Sequence, residues 1–154
     1  MSILLDTNIL TRLAQPSHPH HAAASAAVLS LQQRREDLRI VPQNLYEFWV
    51  VATRPVAANG GLGMPTLAAK AMLDHFEALF APLADPPDPY ARWKALVATH
   101  ATVGKAAHDA RLVAAMQAHG IGQILTFNGA DFSRYPAVTP LDPATVTAGA
   151  TGTP

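Results

Sequence analysis

Ser2-Ile3-Leu4-Leu5-Asp6-Thr7-Asn8 opens the chain with an apolar run that stops at a carboxylate. A short continuous apolar run of this kind reads as a buried strand, with Asp6 at its end. Working outward, the pattern alternates. Asn8 to about Ala14 starts a helix closed by Pro16, and Pro19–Arg35 is an alanine-rich helix with apolar residues at helical spacing. Asp37–Val41 reads as a second strand ended by Pro42. Asn44 is placed to cap a helix over Leu45–Thr53, with Glu47 three residues on as its capping-box partner. Helices are expected at about Pro65–Leu79, Pro89–His100 and Lys105–His119, and strands at Phe80–Ala84, Gln123–Thr126 and Val138–Leu141. Strands alternating with helices specify an α/β fold with a mainly parallel sheet flanked by helices on both sides. One domain over residues 1–142 is expected. The stretch from Pro143 to Pro154 holds only Pro, Ala, Thr, Val and Gly and reads as a disordered tail.

Composition narrows the class. The chain has 154 residues, 49% hydrophobic and only 14% charged, which argues against general disorder. It contains no cysteine, excluding disulfides and thiolate metal sites and fitting a cytoplasmic location. No apolar run is long enough to span a membrane, and no basic segment precedes Ile3 as a secretory signal would require. The formal net charge is zero, so composition does not argue for nucleic acid, although Arg34, Arg35, Arg39, Arg92, Lys94 and Arg111 offer a local basic surface.

Four carboxylates stand inside or beside apolar runs: Asp6, Glu47, Asp109 and Asp131. A lone charge so placed is costly to desolvate, and a shared divalent cation is one solution. Sites in open α/β sheets form beyond the carboxyl ends of the strands. Asp6 ends the first strand, Asp131 follows the Ile124-Leu125-Thr126 strand, and Glu47 follows the second. Asp109 shares a helix stripe with Leu112, Val113 and Met116. Each acid alone has a plainer reading: a cap for Asp6, a capping box for Glu47, a helix-dipole partner for Asp109, a turn former for Asp131. Together, all-oxygen ligands of this type suit Mg²⁺, with Mn²⁺ as substitute.

From Ile3 to Leu141 these motifs, in this order, resemble the PIN-domain nucleases, and in particular the VapC-type toxins of bacterial toxin–antitoxin pairs. The resemblance rests on Leu5-Asp6-Thr7-Asn8, Glu47 on a mid-chain helix, His108-Asp109-Ala-Arg-Leu-Val-Ala, and Leu125-Thr126-Phe-Asn128-Gly-Ala-Asp131-Phe. It implies a PIN-like fold and a metal-dependent endoribonuclease that leaves a 5′-phosphate. Asp6, Glu47, Asp109 and Asp131 would be the catalytic metal-site acids, with Asp6 and Asp109 the most direct ligands. Thr7, Asn8, Thr126 and Asn128 would orient carboxylates and water; the same residues also fit simple turn caps. The implied partners are an RNA substrate, a cognate antitoxin and a second copy of the chain.

Two other readings compete. A phosphatase of the haloacid-dehalogenase type also begins with an Asp after a strand, but it needs a second Asp two residues on, where this chain has Asn8. A non-catalytic RNA- or protein-binding domain on the same fold would be marked by lost acids, and all four are present. The histidines of Ser17-His-Pro-His-His21 read as surface residues, and Trp49 and Trp93 as packing residues.

Overall fold

The computed structural model describes residues 1–148. Strands β1 (Ser2–Leu5), β2 (Asp37–Arg39), β3 (Gln123–Leu125) and β4 (Thr139–Leu141) form one sheet in the order β2-β1-β3-β4. Every pairing is parallel, with Leu4 opposite both Arg39 and Ile124. Side chains alternate across a strand, and the two faces feed two cores. Ile3 and Leu5 enter one with Leu38 and Leu125, whereas Leu4 and Ile124 enter the other.

The first core lies beneath α1 (Thr7–Leu13), α2 (His21–Gln33), α3 (Pro42–Thr53), α4 (Thr66–Phe80) and α7 (Pro143–Ala148). Phe48 and Phe76 meet edge-to-face there, 5.0 Å between centroids. The second core lies beneath α5 (Pro89–Thr99) and α6 (Ala106–Ala118), where Leu112, Val113 and Met116 are buried as their spacing requires. The α/β architecture with helices on both faces is as expected from the sequence.

Four local expectations are corrected. Phe80–Ala84 is not a strand: Phe80 closes α4, Ala81 takes a left-handed φ of 38°, and Leu83 N–H gives a single bond to the Ile40 carbonyl. Asn44 is not a helix cap. The helix begins at Pro42, whose fixed φ suits the first helical position, and the Asn44 side chain reaches back to accept from Val41 N at 2.9 Å. Glu47 therefore sits more than a turn inside α3 and is no capping-box member. The stretch from Pro143 is not all disordered tail. Residues 143–148 form α7, which buries Val146 in the first core and offers the Val146 carbonyl to Arg34 Nη2 at 2.8 Å. Residues 149–154 of that expected tail lie outside the described residues.

Candidate active site

The sheet order puts the switch point between β1 and β3, whose outgoing connections run in opposite directions, and in such sheets the crevice at that point is where ligands bind. Asp6 stands there. Its N–H extends the ladder to the Leu125 carbonyl, and its side chain is buried, 8% exposed. Three donors hold the carboxylate: Thr7 N–H at 2.7 Å on Oδ1, with Thr126 Oγ1 at 2.7 Å and Asn8 Nδ2 at 3.2 Å on Oδ2. Asp6 thus caps α1 as well as facing the crevice. Burial is the main influence on its pKa, which is raised from 3.8 to about 6; Glu47 and Asp131 add to the rise, while the Thr126 and Thr7 bonds oppose it.

Glu47 reaches the same crevice from α3. Its Oε2 accepts from Thr7 Oγ1 and its Oε1 from Gln43 Nε2, each at 2.7 Å. Gln43 also donates to the His108 carbonyl at 2.9 Å, tying α3 to the first turn of α6, where Asp109 lies. Asn44 Nδ2 completes the frame with a 3.2 Å bond to Thr7 Oγ1.

Asp109 differs from these two. It is half-buried, and among the described residues its carboxylate has no hydrogen-bond donor and no salt bridge. Its pKa is raised from 3.8 to about 7, first by burial and then by Asp6, Asp131 and Glu47; Arg134 pulls the other way. Asp131 lies in a 3-10 turn over Gly129–Phe132 and is exposed. The four acids therefore share one field. They do not form a ready cage: among the described residues, no three acidic or histidine side chains converge on a point where a metal ion would be held.

Thr126 is the hinge of the supporting set. Its hydroxyl donates to Asp6 and accepts from Asn8 Nδ2 at 3.2 Å and Asn128 N at 3.0 Å. Asn8 Oδ1 accepts in turn from Phe127 N at 3.4 Å. Thr7, Asn8 and Thr126 all touch the acids or one another, whereas the Asn128 side chain is exposed and only its backbone joins the network. Gln43, Asn44 and Arg134 were not recognisable as site residues. Gln43 precedes Glu47 by four, a pairing that helix geometry makes adjacent, but only once the helix is known to start at Pro42.

Two open clefts meet at Thr7. One, of about 370 Å³, is lined by Thr7, Glu47, Val50, Arg54, His108 and Asp109, and the other, of about 230 Å³, by Thr7, Asn8, Thr11, Arg12, Asn59 and Gly60. A cleft lined by Glu47, Asp109 and Arg54 accepts a polyanion only if its acids are neutralised. His20 lies edge-to-face with His18 at 5.2 Å and stacks on Phe127 at 4.7 Å, and His21 Nδ1 pairs with the Arg12 carbonyl. No described helix is long and apolar enough to cross a membrane.

Comparison with known proteins agrees with this fold. Residues 3–138 match the family model described as PIN domain. Among solved structures, similarity extends to VapBC-1 from nontypeable Haemophilus influenzae, with a TM-score of 0.68 and 14% identity over 94% of this chain and 99% of that one. It extends also to VapBC2 from Rickettsia felis bound to a DNA fragment from their promoter, with a TM-score of 0.65 and 16% identity over 92% and 98% of the two chains. FitAcB from Neisseria gonorrhoeae has a TM-score of 0.63 and 19% identity over 94% and 99%. At these identities the likeness is one of fold. No curated protein matched the sequence.

Proposed function

The chain belongs to the PIN domain family, and from that premise we propose that it is a metal-dependent endoribonuclease, the toxin of a bacterial toxin–antitoxin pair. The observation that carries the reading is Asp109: a half-buried carboxylate without a hydrogen-bond donor among the described residues, raised to about 7 by burial and by three other acids. Among the described residues no donor satisfies it, and Arg134 offsets its charge only in part. A divalent cation would satisfy it, and perturbed acids in a cleft are a mark of functional sites.

The donor set fits Mg²⁺. Every candidate ligand is a hard oxygen, and Mg²⁺ binds through one or two carboxylates while keeping several waters. An open site without a three-residue cage agrees with that mode better than with an all-protein one. Asp6 and Asp109 would hold the ion most directly, with Glu47 and Asp131 completing the site or holding its water. Such an ion supplies an activated water and charge stabilisation at the phosphoryl and leaving oxygens.

The chain's own residues do the remaining work by orientation. Thr126 and Thr7 N–H fix the Asp6 carboxylate, and Thr7 and Gln43 fix Glu47. Supporting bonds of this kind hold ligands in productive geometry. Gln43 sets the distance between Glu47 and the start of α6. Arg12 and Arg54, which line the clefts, would contact RNA phosphates.

The partner assignment is supported by the solved neighbours, whose names join two components in VapBC2 and FitAcB. The antitoxin would enter the clefts at Thr7 beside exposed Tyr46 and Val50, and the toxin would pair with a second copy of itself. The test is RNA cleavage by the purified protein in Mn²⁺, with end-group analysis for a 5′-phosphate. Cleavage abolished by EDTA and by Asp109→Asn is expected. Full activity of that variant, or activity indifferent to EDTA, would overturn the assignment. Mn²⁺-independent RNA binding without cleavage would favour a binding domain on the same fold.

A further inference from the structure

On α5, Tyr90, Trp93 and Lys94 are spaced three and four apart and share one side of the helix. Tyr90 is 67% exposed, and its ring lies 6.0 Å from that of Trp93 at 32°. Trp93 is half-buried and fixed, because its indole N–H donates to the Ala107 carbonyl at 2.7 Å in the first turn of α6. Lys94 Nζ stands 6.0 Å from the Tyr90 ring centroid. Pro89, Tyr90, Trp93 and Arg111 line a recess of about 270 Å³. A narrower recess shares Pro89 and Arg111 with it and runs on past Asp85 to Gln43, the residue whose amide holds Glu47. That second recess, of about 10 Å³, is too small for a nucleotide, and of the two only the recess at Tyr90 has room for a base.

The lining has the chemistry of a base-stacking platform. It offers a large aromatic face to solvent and, among the described residues, two cations without salt bridges, Lys94 and Arg111. Its aliphatic lining, Val41, Ala114 and Ala115, is buried in the narrower recess and offers no protruding anchor for a partner helix. Unpaired bases stack on aromatic side chains while cations track the backbone. We propose that the recess at Tyr90 binds single-stranded RNA, with one unpaired base stacked on the open face of Tyr90 and flanking phosphates on Lys94 and Arg111. The choice of RNA as ligand rests on the ribonuclease reading. Paired bases cannot take the site, so the recess would confer a preference for unpaired RNA.

The test uses an end-labelled single-stranded oligoribonucleotide of mixed sequence, with affinity measured by fluorescence anisotropy in EDTA and cleavage measured separately in Mn²⁺. Tyr90→Ala is expected to weaken binding about tenfold, while Tyr90→Phe, which keeps the ring, restores it. The same loss should appear as a raised KM at unchanged kcat, and double-stranded RNA should be indifferent to Tyr90. Circular dichroism melts of both variants should match wild type, since the ring is exposed. Absence of RNA binding, or binding and KM indifferent to Tyr90, overturns the stacking site, even if cleavage in Mn²⁺ upholds the nuclease. Tyr90-dependent binding by a protein that cleaves no RNA keeps the stacking site and overturns the nuclease.

Discussion

Replacing Asp109 by Asn removes one charge and no hydrogen bond, which makes it a clean probe of the acid cluster. The raised pKa means that the folded state holds the proton more tightly than the unfolded chain does. Its contribution to stability is therefore full below the unfolded value of 3.8 and is lost as pH rises through about 7. A displacement of that size corresponds to ~4 kcal/mol at most. The group is half-buried, so solvent screening reduces this to ~1–2 kcal/mol. At pH 8 without metal, Asp109→Asn should be more stable than wild type by that amount. For a domain of this size the gain is a midpoint rise of roughly 3–6 °C. At pH 4 the two proteins should melt together. Mn²⁺ should close the gap at pH 8 by stabilising wild type alone, since a ligand raises the midpoint only of the protein that binds it. Thermal melts at the two pH values, in EDTA and in Mn²⁺, decide the matter. A variant that melts lower by the same amount at both pH values would mean Asp109 is a structural group, and the electrostatic account would be wrong.

Other perturbations probe the frame. Asp6, raised to about 6, predicts that the stability of Asp6→Asn relative to metal-free wild type climbs by as much as ~3 kcal/mol between pH 4 and pH 8; urea titrations showing a flat difference would refute it. Thr7→Val removes the 2.7 Å donor to Glu47 and the acceptor of Asn44, and should cost about 1–3 kcal/mol in chemical denaturation. It should also lower cleavage by leaving Glu47 unoriented. Val146→Ala should cost roughly 1–3 kcal/mol if α7 is an integral part of the first core, and a variant as stable as wild type would show that segment to be dispensable.

The topology was legible because hydrophobic patterning carries it. The apolar run before Asp6 and the stripe Leu112, Val113, Met116 need only the periods of strand and helix. The acids were legible for a related reason, since a charge within an apolar run is conspicuous without coordinates. Phe80–Ala84 misled because an apolar segment of that length suits a strand and a helix end equally; the left-handed turn at Ala81 settles it, and alanine gives no hint of that. Asn44 misled through a capping rule that holds at either end of a reciprocal pair. Local chemistry could not say which end it occupied, and Pro42 read as a strand terminator concealed the true helix start. The small, polar composition after Pro143 disguised Val146, whose partner surface is assembled from α2, more than a hundred residues earlier. Gln43 and Arg134 were invisible because their roles depend on distances between elements, which a linear reading does not contain.

The bond from Thr126 to Asp6 joins residues 120 positions apart, whereas the bond from Thr7 to Glu47 spans 40. Domains form from their N-terminal portions as synthesis proceeds, so half of the acid frame can assemble early and the other half cannot. A nascent chain still lacking β3 has Asp6 without its Thr126 donor, no Asp131, and no neighbour for β1 on one side. The complete acid frame is consequently out of reach of the ribosome-bound protein until β3 and the turn after it have emerged. For the RNA-cleaving enzyme proposed above, made next to the cell's own messages, that delay would be a safeguard written into the order of the strands.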